Sequence, residues 1–264
     1  MHIIVCVKQV PETGNVRMDE ETGTMVREGV ESIVNPLDLY AIEAALRLKE
    51  DQGGAVTVLS MGPPKAEQAV REAMAMGCDS GVLVSGPEFA GSDTYATSYC
   101  ISRALQKLAP YDLVMMGVRA TDGDTGQVGP GVAAFLGVPV CTFVSRIVAA
   151  AEGSLTLERL VESGYETLRY LLPCVITVGK EIGYPRLPTL RGKQRARRAA
   201  LQLWSAAQLD VDTDMVGLQG SPTRVVGITR PKVARAGRMV EVASLGVHEA
   251  ARQLADYLEE KDLL

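Results

Sequence analysis

The feature that most narrows what this chain can fold into is a rhythm in its N-terminal half. Short β-branched or apolar runs alternate with stretches of helical spacing. The runs are residues 2–7 (His-Ile-Ile-Val-Cys-Val), 55–61, 81–85 and 112–117, and each ends at Gly, Pro or a polar turn. Between them, 38–50, 64–76 and 94–108 repeat their apolar side chains every three or four residues, as Leu39, Ile42, Ala45 and Leu46 do. Strands alternating with helices predict an α/β fold, a parallel sheet with helices on both faces. Helix starts are marked by Asn35-Pro36-Leu37-Asp38, with Asp38 as the N-cap, by Gly62-Pro63-Pro64, and by Ser92 or Asp93. Gly77 closes the second helix.

After Pro139 the rhythm changes. Residues 141–149, 154–162, 165–171 and 174–179 read as successive strands, with Glu152-Gly153 and Ser163-Gly164 as hairpin turns, and so as an antiparallel extension of the sheet. From Gly183 to Arg198 six basic residues (Arg186, Arg191, Lys193, Arg195, Arg197, Arg198) occur without one acid, which reads as an extended arm or a solvated linker. Residues 199–243 show no strong periodicity, and a last amphipathic helix is expected over 246–261 through Val247, Ala250, Ala251, Leu254 and Leu258.

Composition removes several functions. With 264 residues the chain has room for one large domain or two small ones, and its net charge of −5 lacks the basic footprint that nucleic acid requires. The five cysteines (Cys6, Cys78, Cys100, Cys141, Cys174) never fall in a C-x-x-C spacing, so they offer neither a zinc site nor a disulfide framework and read as reduced thiols of a cytoplasmic protein. Two histidines, His2 and His248, at opposite ends of the chain leave no material for a metal site or a Ser-His-Asp triad. No apolar stretch approaches the length of a membrane span and no signal peptide is read, so membrane insertion is not expected.

The segment richest in chemistry runs from Gly117 to Pro130 (Gly-Val-Arg-Ala-Thr-Asp-Gly-Asp-Thr-Gly-Gln-Val-Gly-Pro), leaving the fourth strand and entering a helix at 127–136. Small residues at the carboxyl end of a parallel strand make a backbone-lined cradle, where ligands of open α/β sheets bind. Backbone N–H groups, with Thr125 and Gln127, would suit a phosphate or pyrophosphate; Asp122 and Asp124 are awkward beside an anion and are assigned to ribose hydroxyls, loop bonding or capping. The plain alternative is a Gly-rich surface turn capped by Asp.

Three signatures fail. Gly129-Pro130-Gly131-Val132-Ala133-Ala134 matches G-x-G-x-x-A but lies inside a predicted helix, no P-loop exists, and the first strand is followed by Lys8-Gln9-Val10-Pro11 in place of a Gly-rich phosphate loop. No nucleophile–base pair, paired carboxylates or metal-ligand cluster stands out. A binder or redox carrier, whose cofactor performs the chemistry, fits that shortage.

The run Val161-Glu162-Ser163-Gly164-Tyr165-Glu166-Thr167-Leu168, then Leu172-Pro173-Cys174-Val175-Ile176-Thr177-Val178 and Pro185-Arg186-Leu187-Pro188-Thr189-Leu190, closely resembles the signature of the β subunit of electron transfer flavoproteins. The likeness extends to Val5-Cys6-Val7-Lys8-Gln9-Val10-Pro11, Thr22-Gly23-Thr24, Asn35-Pro36 with Asp38, Glu43-Ala44-Ala45-Leu46, Ala75-Met76-Gly77 and the Asp-Gly-Asp-Thr loop, and so covers nearly the whole chain.

The resemblance implies a nucleotide-binding domain of the adenine nucleotide alpha hydrolase type over 1–190 and a C-terminal arm over 191–264 that contacts an α subunit carrying the electron-transferring FAD. It places the pocket of this subunit at Cys6, Asn35, Pro36, Leu37, Asp38, Met61 and the segment of Gly117, Val118, Arg119, Ala120, Thr121, Asp122, Gly123, Asp124, Thr125, Gly126, Gln127 and Val128. The occupant is AMP in redox-silent members and a second FAD in flavin-bifurcating ones, which Asp122-Gly123-Asp124-Thr125 resembles; Gly123 leaves room for a pyrophosphate. In the bifurcating case hydride from NADH reaches that flavin, one electron passes through the α-subunit FAD to an acyl-CoA dehydrogenase-like partner, and the other to a ferredoxin or flavodoxin. A partner-docking loop is implied at 179–190, with Ile182 as apolar anchor beside Tyr184 and Arg186. A more distant alternative is a stand-alone nucleotide-binding sensor of the universal-stress type.

Overall fold

The computed structural model describes residues 1–12, 17–18, 25–26, 31–227 and 239–263, so Thr22-Gly23-Thr24 lies outside the described residues. In chain order the strands are β1 (His2–Val7), β2 (Gln9–Pro11), β3 (Arg17–Met18), β4 (Met25–Val26), β5 (Ser32–Val34), β6 (Ala55–Met61), β7 (Ser80–Val84), β8 (Leu113–Gly117), β9 (Val140–Ala151), β10 (Ser154–Val161), β11 (Gly164–Leu171), β12 (Cys174–Val178) and β13 (Gln202–Trp204). The helices are α1 (Pro36–Gln52), α2 (Glu67–Met76), α3 (Thr94–Leu108), α4 (Val128–Leu136), α5 (Leu190–Arg198), α6 (Ala206–Leu209), α7 (Val242–Leu245) and α8 (Val247–Glu260). The chain divides into two compact units, Met1–Val226 and Gly227–Leu264.

In the first unit one sheet runs in the order β11-β10-β9-β12-β8-β1-β6-β7-β13. All neighbours from β9 to β13 are parallel, while β10 and β11 extend the sheet antiparallel. The period of two along β1 sends Ile3, Val5 and Val7 into a core shared with α1 and α2, and Ile4 and Cys6 into a second core shared with α3 and α4. Ile3 and Ile4 are fully buried, and each such side chain contributes about 1.5–3 kcal/mol. Both faces are thus covered, as a parallel sheet requires.

Strand order locates a crevice. From β1 the chain steps through α1 to β6 and through α2 to β7, always moving to one side; α3 then carries it back to β8, on the other side of β1. The order reverses between β1 and β8, and in open α/β sheets the carboxyl ends of such a strand pair splay apart and form a crevice.

The stretch 183–198 differs from its sequence expectation. Residues 190–198 form α5, not an extended arm. Thr189 caps it by accepting from the Gly192 N–H at 2.9 Å, and its Arg, Lys, Gln and Ala residues favour helix, with cations in the last turn against the helix dipole. The helix lies against α2 through reciprocal arginines. Arg195 donates to the carbonyls of Met74 at 3.0 Å and Cys78 at 3.5 Å past the end of α2, and Arg71 donates to the carbonyls of Ala196 and Ala199 at the end of α5. Because α5 packs on α2 and β13 pairs with β7, residues 191–226 belong to the first unit, beyond the residue-190 boundary drawn from the sequence. In the second unit α8 buries none of its side chains, and Val247 and Leu254 on its apolar face are exposed.

Candidate functional site

The crevice is built by polar contacts that tie three segments to one another. Pro36 starts α1 and Asn35 precedes it, but the Asn35 side chain does not cap the helix. It reaches across instead: Nδ2 donates to the Arg119 carbonyl at 2.9 Å and Oδ1 accepts from the Thr121 N–H at 3.2 Å. A residue type suited to capping is thus used to hold the loop that leaves β8.

Asp38 is likewise not the cap expected from the sequence. It sits inside the first turn of α1, buried, with Oδ2 accepting from the Lys8 N–H at 2.7 Å and Oδ1 from the Gly117 N–H at 3.2 Å. One carboxyl group therefore pins the ends of both strands that flank the switch point. Gly117 allows this approach, since a Cβ there would stand 2.5 Å from Asp38 Oδ1 and 2.8 Å from the Leu37 carbonyl carbon.

Burial pushes the Asp38 carboxyl up to about 7, although the Lys8 and Gly117 N–H groups and Asn35 pull it down. The folded chain therefore keeps a proton that the unfolded chain releases near pH 4, so stability falls as pH rises from about 4 to 7. Urea denaturation at about pH 4.5 and pH 8 should show the wild type losing on the order of 2 kcal/mol more than Asp38→Asn over that interval; equal losses would remove this assignment. The Cys6 thiol, at the end of β1, is raised by burial and by Asp38, so it acts as an apolar wall and not as a nucleophile.

The loop between β8 and α4 is open. Among the described residues, the N–H groups of Asp122, Gly123, Thr125, Gly126 and Gln127 have no protein acceptor, while the Asp124 N–H bonds the Ala120 carbonyl at 2.9 Å. Its two acids are each matched to a cation: Lys8 Nζ lies 2.7 Å from Asp122 and Arg119 Nε 3.2 Å from Asp124. Thr94 Oγ1, in the first turn of α3, donates to Thr125 Oγ1 at 3.1 Å and ties the loop to the opposite face. A Cβ on Gly123 would meet nothing nearer than Lys8 Nζ at 3.9 Å, so space remains above that residue. Free N–H donors, small residues and unfilled space form a cradle that fits a phosphate or pyrophosphate.

The neighbouring Gly129-Pro130-Gly131 serves packing. A Cβ on Gly129 would stand 2.4 Å from Thr177 Cγ2, and one on Gly131 2.5 Å from Ser98 Oγ, so these glycines let α4 sit close to β12 and α3. That explains why a motif with dinucleotide-fingerprint spacing occurs here without that role.

Of the residues expected at the pocket, Cys6, Asn35 to Asp38 and Gly117 to Val128 meet at the β1/β8 crevice, and Met61 ends β6, the strand beside β1. Ile182, Tyr184 and Arg186 lie elsewhere, along the later turns of α1. Ile182 is half-buried against the α1-side core, whereas Tyr184, Leu187 and Leu190 are 89%, 86% and 81% exposed. Arg186 anchors the segment: its backbone N–H and Nε reach Glu43 Oε2 at 3.0 and 2.8 Å, and Nη1 reaches Glu50 at 2.5 Å. Sequence reasoning missed two participants, Lys8 and Glu43. The available signals were a cation directly after the first strand and an acid inside the apolar run Ala41-Ile42-Glu43-Ala44-Ala45-Leu46.

The chain is similar to known proteins along nearly its whole length. The family model described as "Electron transfer flavoprotein domain" matches residues 22–209. The chain is 43% identical over 265 residues to an electron transfer flavoprotein subunit beta of Thermoanaerobacterium thermosaccharolyticum, covering 100% of both chains. It is 44% identical to protein FixA of Azotobacter vinelandii, over 88% of this chain and 85% of that one. It is 40% identical to the caffeyl-CoA reductase-Etf complex subunit CarD of Acetobacterium woodii, again over 100% of both.

Proposed function

As the chain belongs to the electron transfer flavoprotein family, as a β subunit, we propose that its β1/β8 crevice holds an FAD and that it works in a flavin-bifurcating complex with an α subunit. The observation that carries the choice of FAD is the open surround of Gly123 beside unpaired N–H donors, which accommodates a pyrophosphate where a side chain would crowd it. Bound there, FAD supplies hydride acceptance from NADH and electron transfer, towards the α-subunit flavin and an acyl-CoA dehydrogenase-like partner on one branch and a ferredoxin or flavodoxin on the other. The residues of this chain bind and orient. Asn35 and Asp38 fix the loop and strand ends, and the N–H groups of Gly123, Thr125 and Gly126, which have no protein acceptor, would hold the phosphates. The relative from the caffeyl-CoA reductase complex supports a dehydrogenase-type partner. Cytoplasmic placement is part of the proposal; among the described residues no helix is long and apolar enough to cross a membrane.

Acid extraction of the purified heterodimer, followed by chromatography of the released nucleotides, tests the reading. Only flavin, at two per heterodimer, is expected. One flavin with one AMP would overturn the FAD assignment and leave a redox-silent subunit, and a stable monomer holding ATP would point to a sensor.

For docking, Ile182 seats the segment against the core and Tyr184, Leu187 and Leu190 present it to a dehydrogenase, while α8 contacts the α subunit. Tyr184→Ala should raise the KM for an acyl-CoA dehydrogenase about tenfold with kcat kept, read in a coupled reduction assay. An unchanged KM would remove Tyr184 from the interface.

A further inference from the structure

We infer that Lys8 is an anion-binding residue of the crevice, its ammonium taking a phosphate of the bound nucleotide in exchange for Asp122; the inference rests on the nucleotide-binding reading above. Lys8 is the first residue after β1 and so stands at the carboxyl end of one of the two strands that flank the switch point. Its backbone is fixed independently of its side chain, because the Lys8 N–H donates to buried Asp38 at 2.7 Å and its carbonyl accepts from the Asn35 N–H at 2.8 Å. The side chain is then free to serve the crevice. It is 48% exposed, its Nζ bonds Asp122 Oδ1 at 2.7 Å, and it is the nearest atom, at 3.9 Å, to the space above Gly123. In the same loop the N–H groups of Gly123 and Thr125 have no protein acceptor. An ammonium beside unpaired amides is the donor set a phosphate needs.

The pairing also accounts for the acids in the loop. An anion entering between Asp122 and Asp124 would meet two carboxylates, but Arg119 already matches Asp124 and Lys8 already matches Asp122. Asp122 is 31% exposed, so it can turn to water when a phosphate, with its several acceptor oxygens, claims the ammonium. The ion pair thus holds Lys8 in position before the ligand arrives. Because one cation is exchanged between two anions, Lys8 acts on the phosphate and not on the base or ribose.

The test uses heterodimer freed of nucleotide, with adenosine, AMP and ADP as calorimetric ligands. Lys8→Gln should weaken AMP and ADP about tenfold or more, leave adenosine unchanged and flatten the salt dependence of AMP binding. Lys8→Arg should retain most of the affinity. Asp122→Asn, which releases Lys8 without removing it, should tighten AMP and leave adenosine alone, and it keeps the question answerable if Lys8→Gln does not fold. Equal weakening of adenosine and AMP, or no effect of Lys8→Gln, or weaker AMP binding by Asp122→Asn, would overturn the role of Lys8 while the nucleotide site stands. A wild-type heterodimer that binds none of the three ligands would overturn the nucleotide reading itself.

Discussion

Gly117→Ala should both destabilise the subunit and empty its crevice. The added Cβ would lie 2.5 Å from Asp38 Oδ1, 2.8 Å from the Leu37 carbonyl carbon and 2.9 Å from its oxygen. Two of these atoms are backbone in the first turn of α1, which is held by Asn35 on one side and by the buried helix face on the other, so relief requires moving the helix start. Overpacking of this kind costs about 1–3 kcal/mol, equivalent to a fall in Tm of roughly 3–10 °C for a unit of this size. Moving Leu37 and Asp38 also loosens the bonds to Lys8 and Gly117 that set the distance between β1 and β8. Nucleotide affinity should drop at least about tenfold, since an ångström of misplacement is enough to spoil several hydrogen bonds together.

Gly123→Ala is the matched control. With nothing nearer than Lys8 Nζ at 3.9 Å, it should leave stability within about 0.5 kcal/mol while weakening FAD more than AMP. Thermal denaturation and calorimetric titration read both variants. If Gly117→Ala keeps wild-type Tm and affinity, Asp38 does not clamp the two strands.

The contrast between these glycines shows what a sequence can reveal. Strand and helix periodicity predicted the α/β sheet, because burial on two faces writes itself into apolar spacing: Ile3 to Val7 reads as a strand whichever partners it finds. The antiparallel extension was legible in part: 154–162 and 165–171 form it, with the second turn at Glu162-Ser163 and Gly164 already pairing Val161, whereas Cys174–Val178, read as its last strand, runs parallel between β8 and β9, a placement that local pattern does not encode. Composition misled at 190–198. Gly192 and five cations resemble a solvated linker, but the glycine lets α5 approach the Ala75 carbonyl, to which a Cβ would come within 2.1 Å, and Arg195 is spent on the carbonyls at the end of α2. Neither fact has a local signature. The site divides in the same way. The Gly117 to Val128 cradle was visible as a run of small residues after a strand, whereas the clamp by Asp38 depends on two N–H groups 30 and 79 residues away in sequence. Local pattern offered a helix cap, and tertiary contact overrode it.

Glu43 stands near the middle of α1. Its carboxylate, 4% exposed, accepts from the backbone N–H and both guanidinium arms of Arg186 and from Arg47 Nε, while Glu50 takes the remaining face of Arg186. α1 therefore touches the β1/β8 crevice through Asp38 and the segment of Tyr184, Leu187 and Leu190 through Glu43, five residues or about 7.5 Å further along the helix. Glu43→Gln keeps the volume but removes the charge and turns an amide donor towards two guanidinium groups. Both arginines keep access to water and Arg186 keeps Glu50, so the loss is that of charged hydrogen bonds, about 1–3 kcal/mol, and the 183–190 segment, which Arg186 holds, should become the first point of proteolytic cleavage.

Titration gives a second readout. Burial raises the Glu43 carboxyl, but hydrogen bonds from Arg186 and Arg47 outweigh it and the net shift is downward. A lowered folded-state value means the contribution is present above the unfolded value near 4.3 and is lost as pH falls through the folded one. Wild-type stability should thus decline on the acid side more steeply than that of Glu43→Gln, and the two denaturation curves should converge as pH falls. Curves that stay parallel from about pH 7 to pH 3, or a segment cleaved no faster in the variant, would show that Glu43 does not hold the segment in place.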